Sequence, residues 1–502
     1  MNRSLLLLFG WVLAYAGIPD PVRLDTGSVS GVDLKDSTVR VFKGIPYAAP
    51  PVGDLRWRAP QPAAKWDGVR KGDQFGPACS SGGTGRGGKG PPAQIEDCLY
   101  LNVWTSAKSA SDRLPVIVWT YGGGFTSGSG SEPRYDGEAL AKKGAVVVTY
   151  NYRLGTFGFF AHPELTKESG HNASGNYGMM DMAAALRWVQ KNITAFGGDP
   201  RRVTIDGESA GAGLVAAMVG SPEGKGLFQR AIAQSSAWMG IGIAKMRTLA
   251  QAEEAGKRAA GTRTLAELRA MSGQEIAQNL TGVQAGFVVD GWLIPEDLSI
   301  TFAKGKQNDV DVLVGSNRDE GTFFAGGAAT VDAAKIRARQ TYNELADDFL
   351  QLYPAGSDAE AAASSLARTR DEMGWHMRTW ADLTVKRGKK AYLFYFTHVP
   401  PGGAARGATH TAELAYMFNN PPANGSWTDV DKKLADMMSS YWVNFAATGD
   451  PNGKGLPTWS AYNQKNNDAK AMVFGDTVEF GPHIDSPRLA FFDKYYAVLQ
   501  KK

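Results

Sequence analysis

Hydrophobic residues in this chain gather into short unbroken runs. Val116-Ile117-Val118-Trp119, Arg202-Val203-Thr204-Ile205, Asp311-Val312-Leu313-Val314-Gly315 and Ala391-Tyr392-Leu393-Phe394-Tyr395-Phe396 have the form of strands buried on both faces. Between them lie helical segments such as Asp181 to Asn192 and the small-residue run Ala212 to Val219. Buried strands alternating with helices predict an α/β architecture with a large, mostly parallel central sheet covered by helices on both faces. Two stretches, Ala244 to Gln278 and Val331 to Lys389, read as helical insertions over one end of that sheet. The chain has no internal repeat and no long linker.

The segment Gly207-Glu208-Ser209-Ala210-Gly211 joins one of these strands to one of these helices. Strand, sharp turn and helix around Gly-x-Ser-x-Gly make a nucleophile elbow, whose serine hydroxyl is pushed out of the sheet by a strained backbone. The flanking glycines are required because a Cβ at either position would strike the neighbouring strand or helix. Ser209 is therefore the candidate nucleophile. A serine hydroxyl needs a general base and an acid to orient that base, and on an elbow of this kind both follow later in the chain.

The run ending at Gly315 leads into Ser316-Asn317-Arg318-Asp319-Glu320-Gly321, so either Asp319 or Glu320 is placed to act as the acid. Of the six histidines, His162 and His171 precede the elbow, and His376 lies in a helical stretch beside Trp375 and Met377, where packing or a solvated face is expected. His398, at the end of a strand, and His483, in a late turn beside Pro482, stay in contention. His410 is better placed, on the loop after the strand Ala391 to Phe396 and just ahead of Glu413.

Further segments carry a resemblance. Phe42-Lys43-Gly44-Ile45-Pro46-Tyr47-Ala48, Pro50-Pro51-Val52-Gly53-Asp54-Leu55-Arg56-Trp57, Glu96-Asp97-Cys98-Leu99-Tyr100-Leu101-Asn102-Val103 and Phe196-Gly197-Gly198-Asp199-Pro200 stand in that order ahead of the elbow. With the acid and histidine segments they make the chain similar, over nearly its whole length, to the type B carboxylesterases, the family of bacterial para-nitrobenzyl esterases, cholinesterases and some fungal lipases. The resemblance implies the α/β-hydrolase fold and selects Ser209 as nucleophile, Glu320 as acid and His410 as base. It also implies an oxyanion hole formed by the N–H groups of Gly123, Gly124 and Ala210, the glycines lying in Tyr121-Gly122-Gly123-Gly124-Phe125. By the same analogy Phe125, Glu208, Trp238, Phe287, Met417 and Phe418 fall in segments that line the substrate pocket, and Cys79 pairs with Cys98. Two positions depart from the common pattern. Asp206 precedes the elbow glycine, where a neutral role bonded to backbone is expected, and Met182 stands where glutamine is usual and is read as packing.

The implied activity is hydrolysis of carboxylic esters through an acyl-enzyme, on short-chain or aryl esters, with feruloyl or phthalate-type aromatic esters as the alternative. A cholinesterase-like adhesion role is disfavoured because every catalytic position is filled. The stretch Ser80 to Pro92 has no aromatic residue and no apolar face, which argues against a choline substrate and against interfacial activation. No His-Glu-x-x-His run, Cys/His cluster or phosphate loop is present, so no metal or cofactor is expected.

At 502 residues the chain is long enough for several domains, but the matched segments run end to end, so residues 17–502 are expected to form one domain. Arg3, the apolar run Leu5 to Ala14 and Ala14-Tyr15-Ala16 read as a secretory signal, residues 1–16, cut after Ala16. The run falls short of the roughly twenty apolar residues of a membrane span. Export to the medium or periplasm suits a chain whose only two cysteines are expected to be disulfide-bonded. The net charge of +4 is small for this size and gives no support for nucleic acid or anionic membranes as partners; a small-molecule ester and a monomeric enzyme are expected.

Overall fold

The structure, a computed structural model, describes residues 18–499 apart from 81–94, 238–245, 325–329, 464, 466–469, 483 and 485. The expected signal segment, Trp238, His483 and most of the loop between the cysteines lie outside the described residues.

The central sheet has eleven strands: β1 (Val32–Asp33), β2 (Arg40–Pro46), β3 (Tyr100–Thr105), β4 (Leu114–Thr120), β5 (Val146–Tyr150), β6 (Gly198–Glu208), β7 (Arg230–Gln234), β8 (Asp311–Asn317), β9 (Ala391–Phe396), β10 (Lys470–Phe474) and β11 (Val478–Pro482). Their spatial order is β11-β10-β9-β8-β7-β6-β4-β5-β3-β2-β1. From β10 to β5 every neighbouring pair is parallel, and antiparallel strands close both edges. The apolar runs read from the sequence form the middle of this sheet. Every residue of β5 and β9 is buried, as a strand covered on both faces requires.

Helices pack against the sheet. Ala210–Gly220 returns from the end of β6 and packs against β6 and β7, and its eleven residues, all small or apolar, are all buried. Asp358–Lys386 packs along β8 and β9, with Ser486–Leu499 against it, so much of the second helical stretch serves as sheet cover. Within the first stretch, Leu249–Ala260, Leu265–Ala270 and Gly273–Asn279 each begin with a capping box, Thr248 with Gln251, Thr264 with Glu267, and Ser272 with Glu275. The Ser/Thr-x-x-Glu/Gln spacing satisfies two otherwise orphan N–H groups at each start and divides the stretch into three short helices.

Cys79 and Cys98 form a disulfide. With a sequence separation of 19 residues, its removal in Cys79→Ser/Cys98→Ser lowers unfolding free energy by about 3 kcal/mol. Chemical denaturation with and without the pair measures this.

Candidate active site

The C-terminal ends of the parallel strands gather the candidate residues. At the end of β6 the chain turns through Ser209, whose φ of 55° and ψ of −126° place a non-glycine residue in a costly backbone region. The turn is held from both sides: Ser209 N–H donates to Gln234 O of β7 at 2.9 Å, and Gly213 N–H donates to Ser209 O at 3.0 Å. The two elbow glycines are obligatory for steric reasons. A Cβ at Gly207 would lie 2.6 Å from the Gly211 carbonyl carbon, and one at Gly211 only 2.0 Å from Thr120 O.

The glycine turn after β4 faces this elbow. A Cβ at Gly122 would lie 2.9 Å from that of Ser209, so the two backbones are in contact. Gly123 (φ 101°) and Gly124 (φ 62°) are left-handed, and the Gly123 carbonyl is turned back to accept from Thr126 and Ser127 N–H at 3.1 and 3.2 Å. That rotation commits the carbonyl to the turn. The turn thus runs beside Ser209, and Ala210 opens the following helix.

The candidate base and acid follow two neighbouring strands. Glu320 follows β8, and one of its oxygens accepts from Asn317 N–H at 2.9 Å. Its other oxygen accepts from His410 Nδ1–H at 2.7 Å, with both side chains buried. Asp319, the alternative from the sequence, instead accepts from Ala408 N–H at 2.8 Å and pairs with Arg318, which fastens the histidine loop to β8. The second imidazole nitrogen, Nε2, lies 3.0 Å from Glu208 Oε1 and has no hydrogen-bond partner among the described residues. A ring nitrogen with no hydrogen bond of its own, in ion-pair contact with the elbow residue Glu208, has the chemistry to take a proton from a hydroxyl.

Burial works against charge on His410, but Glu208, Glu320 with its hydrogen bond, and Glu413 outweigh it and raise the imidazole to about 9. Burial pushes the Glu208 carboxyl up, with Glu320 adding to the rise and His410 and Arg134 opposing it. Glu413 is likewise pushed up by burial and by Glu208 and Glu320, against a hydrogen bond from Asn317 Nδ2. Three carboxylates thus surround one histidine. Glu413 was noted in the sequence only as a neighbour, although its spacing three residues after His410 was the signal for it. Phe323 and Phe324, directly after the acid, were also missed; their rings pack on the imidazole at 4.9 and 4.8 Å.

The other histidines are engaged elsewhere. His398 has Asp476 Oδ1 at 2.6 Å on Nδ1 and Asp431 Oδ1 at 2.9 Å on Nε2. His376 is buried against Tyr496. Of the pocket residues, Phe125 and Phe287 meet edge to face at 5.1 Å over the first turn of the elbow helix, where a Cβ at Gly213 would touch both. Met417 is fully buried, and Phe418 packs on Trp119 and Tyr135 at 4.9 and 5.7 Å. Met182 is fully buried. Asp206 is also fully buried, and burial pushes its carboxyl far above the ordinary range, so it is neutral. One of its oxygens accepts from the Gln234 side chain at 3.0 Å, and the backbone N–H of Gly207 also bonds the carboxyl.

These charge states separate two residues that lie two positions apart on β6. Glu208→Gln removes a carboxylate beside His410, destabilises the imidazolium and moves the acidic limb of the kcat/KM profile about one unit lower. Asp206→Asn removes no charge and leaves the limb in place. Profiles of both variants on one ester check the pair.

The sheet order and an elbow at the end of β6 define an α/β-hydrolase. Residues 19–491 match the carboxylesterase family, and the chain belongs to it. It is 39% identical over 495 residues to the fumonisin B1 esterase of Sphingopyxis macrogoltabida, covering 94% of this chain and 89% of that one. Identity to the para-nitrobenzyl esterase of Bacillus subtilis (strain 168) is 33%, covering 93% and 98%. Among solved structures, a PNB esterase superposes with a TM-score of 0.80 at 31% identity, covering 94% of this chain and 99% of that one. A Geobacillus stearothermophilus carboxylesterase gives 0.79 at 32%, with the same coverage. The protein is a carboxylic ester hydrolase of the serine esterase class.

Proposed function

We propose that Ser209, His410 and Glu320 carry the hydrolysis and that the N–H groups of Gly123, Gly124 and Ala210 receive the oxyanion. The observation that supports this most is the Glu320–His410 hydrogen bond at 2.7 Å, with the other imidazole nitrogen beside Glu208, the residue preceding Ser209 at the elbow. His410 takes the proton of Ser209 as the hydroxyl oxygen attacks the ester carbonyl. Glu320 fixes the ring so that Nε2 is the basic nitrogen and stabilises the imidazolium that forms. Negative charge developing on the carbonyl oxygen is met by N–H groups already in place, the kind of arrangement in which one donor is worth about 10²–10³ in rate. His410 returns its proton to the departing alcohol, leaving Ser209 acylated. Water, deprotonated by the same nitrogen, attacks the acyl carbon, and the serine is released with the acid product.

Small ester substrates follow from the family. The rings of Phe125 and Phe287 over the elbow helix suit an apolar acyl or aryl group. The relatives do not favour a dedicated feruloyl or phthalate hydrolase; an ester of fumonisin B1 belongs in the substrate panel because of the 39% identical relative. Rates on p-nitrophenyl esters of increasing acyl length, beside that compound and a feruloyl ester, test the preference. A rate on feruloyl esters exceeding every p-nitrophenyl ester would reverse it.

All named site residues come from one chain, so a monomer suffices. Export, with a mature chain of one domain beginning at residue 17, rests on the N-terminal apolar run and the disulfide. Among the described residues no helix is long and apolar enough to cross a membrane. N-terminal sequencing of protein recovered outside the cytoplasm tests the cut after Ala16.

A further inference from the structure

His410 sits on a segment that leaves β9, loops out and returns as the short helix Leu414–Met417. The segment contains a strained residue immediately after the histidine, Thr411 at φ 74°, and backbone of that kind persists only where its surroundings over-determine it. Part of the restraint is local, since Asp319 exchanges hydrogen bonds with Ala408 and Asn317 Nδ2 donates to Thr409 O. Further restraint lies at the two ends. His398, where the segment begins, donates from Nε2 to Asp431 Oδ1 at 2.9 Å, and Tyr416, where it returns, donates its hydroxyl to the same oxygen at 2.6 Å.

Asp431 stands in the first turn of the helix Asp429–Thr448 and is 1% exposed. Its other oxygen accepts from the N–H and hydroxyl of Thr428 in a capping box, which fixes the carboxylate to the helix start. His398 also faces Asp476 Oδ1 through Nδ1 at 2.6 Å, so each ring nitrogen lies against a carboxylate. Burial alone would raise the Asp431 carboxyl, yet the bonds from Thr428, Tyr416 and His398 hold it down at about 2. The anchor is a charge-assisted, buried network.

We propose that Asp431 is a positioning residue for the general base: its Oδ1 ties together the two ends of the segment 398–416 and thereby sets the reach of His410 toward Ser209. The proposal rests on the reading of His410 as base. It predicts an effect on kcat, because the anchor acts through where the imidazole stands; KM is read beside it, since Tyr416 directly precedes the candidate pocket residues Met417 and Phe418.

Substitution of Asp431 itself would also break the cap, so its partners are varied. Tyr416→Phe and His398→Gln each remove one arm of the anchor, while Thr428→Ala removes the cap and leaves both arms. Diethyl p-nitrophenyl phosphate counts competent serines by the p-nitrophenolate it releases, and kcat is expressed per titrated site. Release of one equivalent by the unmutated chain belongs to the Ser209 reading; the ratio of each variant to it belongs to Asp431. The expected result is a fall in kcat of about 10-fold for Tyr416→Phe and for His398→Gln with KM within about twofold, since small misplacements of a reacting group are costly. The double variant should fall less than the product of the two, because the arms share one oxygen. Thr428→Ala should lower Tm and leave kcat unchanged. If Tyr416→Phe and His398→Gln behave like Thr428→Ala, losing Tm at parental kcat per site, the carboxylate is only a helix cap and the proposal fails.

Discussion

Ser209→Ala lowers kcat on p-nitrophenyl butyrate by about 10⁴–10⁶-fold, the range expected when the nucleophile of a cooperating triad is removed. Without the hydroxyl no acyl-enzyme can form, and what remains is the contribution of the oxyanion donors and of binding. The fold should not suffer. Alanine carries the same Cβ through the φ of 55°, and the bonds that hold the elbow, Ser209 N–H to Gln234 O and Gly213 N–H to Ser209 O, are backbone bonds. A Tm within a degree or two of the parent, together with the loss of activity, separates chemistry from folding. A Ser209→Ala variant retaining a tenth of parental kcat would remove Ser209 from the reaction.

Gly211→Ala has the largest expected effect on the fold. The added carbon would lie 2.0 Å from Thr120 O and 2.8 Å from Tyr121 O, both backbone atoms at the end of β4, where no rotamer change gives relief. Either the elbow helix or the oxyanion turn has to move. A loss of upwards of about 3 kcal/mol is expected, the scale of severe overpacking, with activity falling along with it. Gly213→Ala, two residues further along the same helix, is the control. Its Cβ would meet Phe287 and Phe125 at 3.5 and 3.6 Å, ordinary contact, and alanine is the better helix former, so stability should hold or rise by up to about 1 kcal/mol. Denaturant unfolding of the two variants side by side checks the contrast.

These effects come from the part of the molecule most legible in the sequence. A nucleophile elbow is local: strand, turn and helix are contiguous, and the glycines at 207 and 211 are demanded by contacts within a few residues or with the adjoining strand. The same holds for the buried strands, whose unbroken apolar runs imply cover on both faces. The glycine turn after β4 is singled out by resemblance, and its left-handed glycines suit a tight reversal.

Where several candidates share one loop, local pattern does not decide. Asp319 and Glu320 are adjacent acids at the end of β8. Glu320 bonds the imidazole while Asp319 turns to Ala408, and that choice depends on how the loop from β9 lies across β8, which composition does not encode. His398 ends a strand as a catalytic histidine could; only the arrival of Asp431 and Asp476 from distant segments shows both of its nitrogens occupied. Glu413 became visible once the turn after His410 brought it toward Glu208 and Asn317. A structural role for Asp206 follows from its place before the elbow glycine, but its burial and its partner Gln234, on the neighbouring strand, depend on how the strands pair.

The most direct test of the central claim is the site of covalent modification. The protein is inactivated with diethyl p-nitrophenyl phosphate, digested and analysed by tandem mass spectrometry. The account predicts one diethylphosphoryl group per chain, on Ser209, rising in parallel with loss of esterase activity and absent from Ser209→Ala. Inactivation that leaves Ser209 unmodified, or full modification of Ser209 with activity intact, would contradict it.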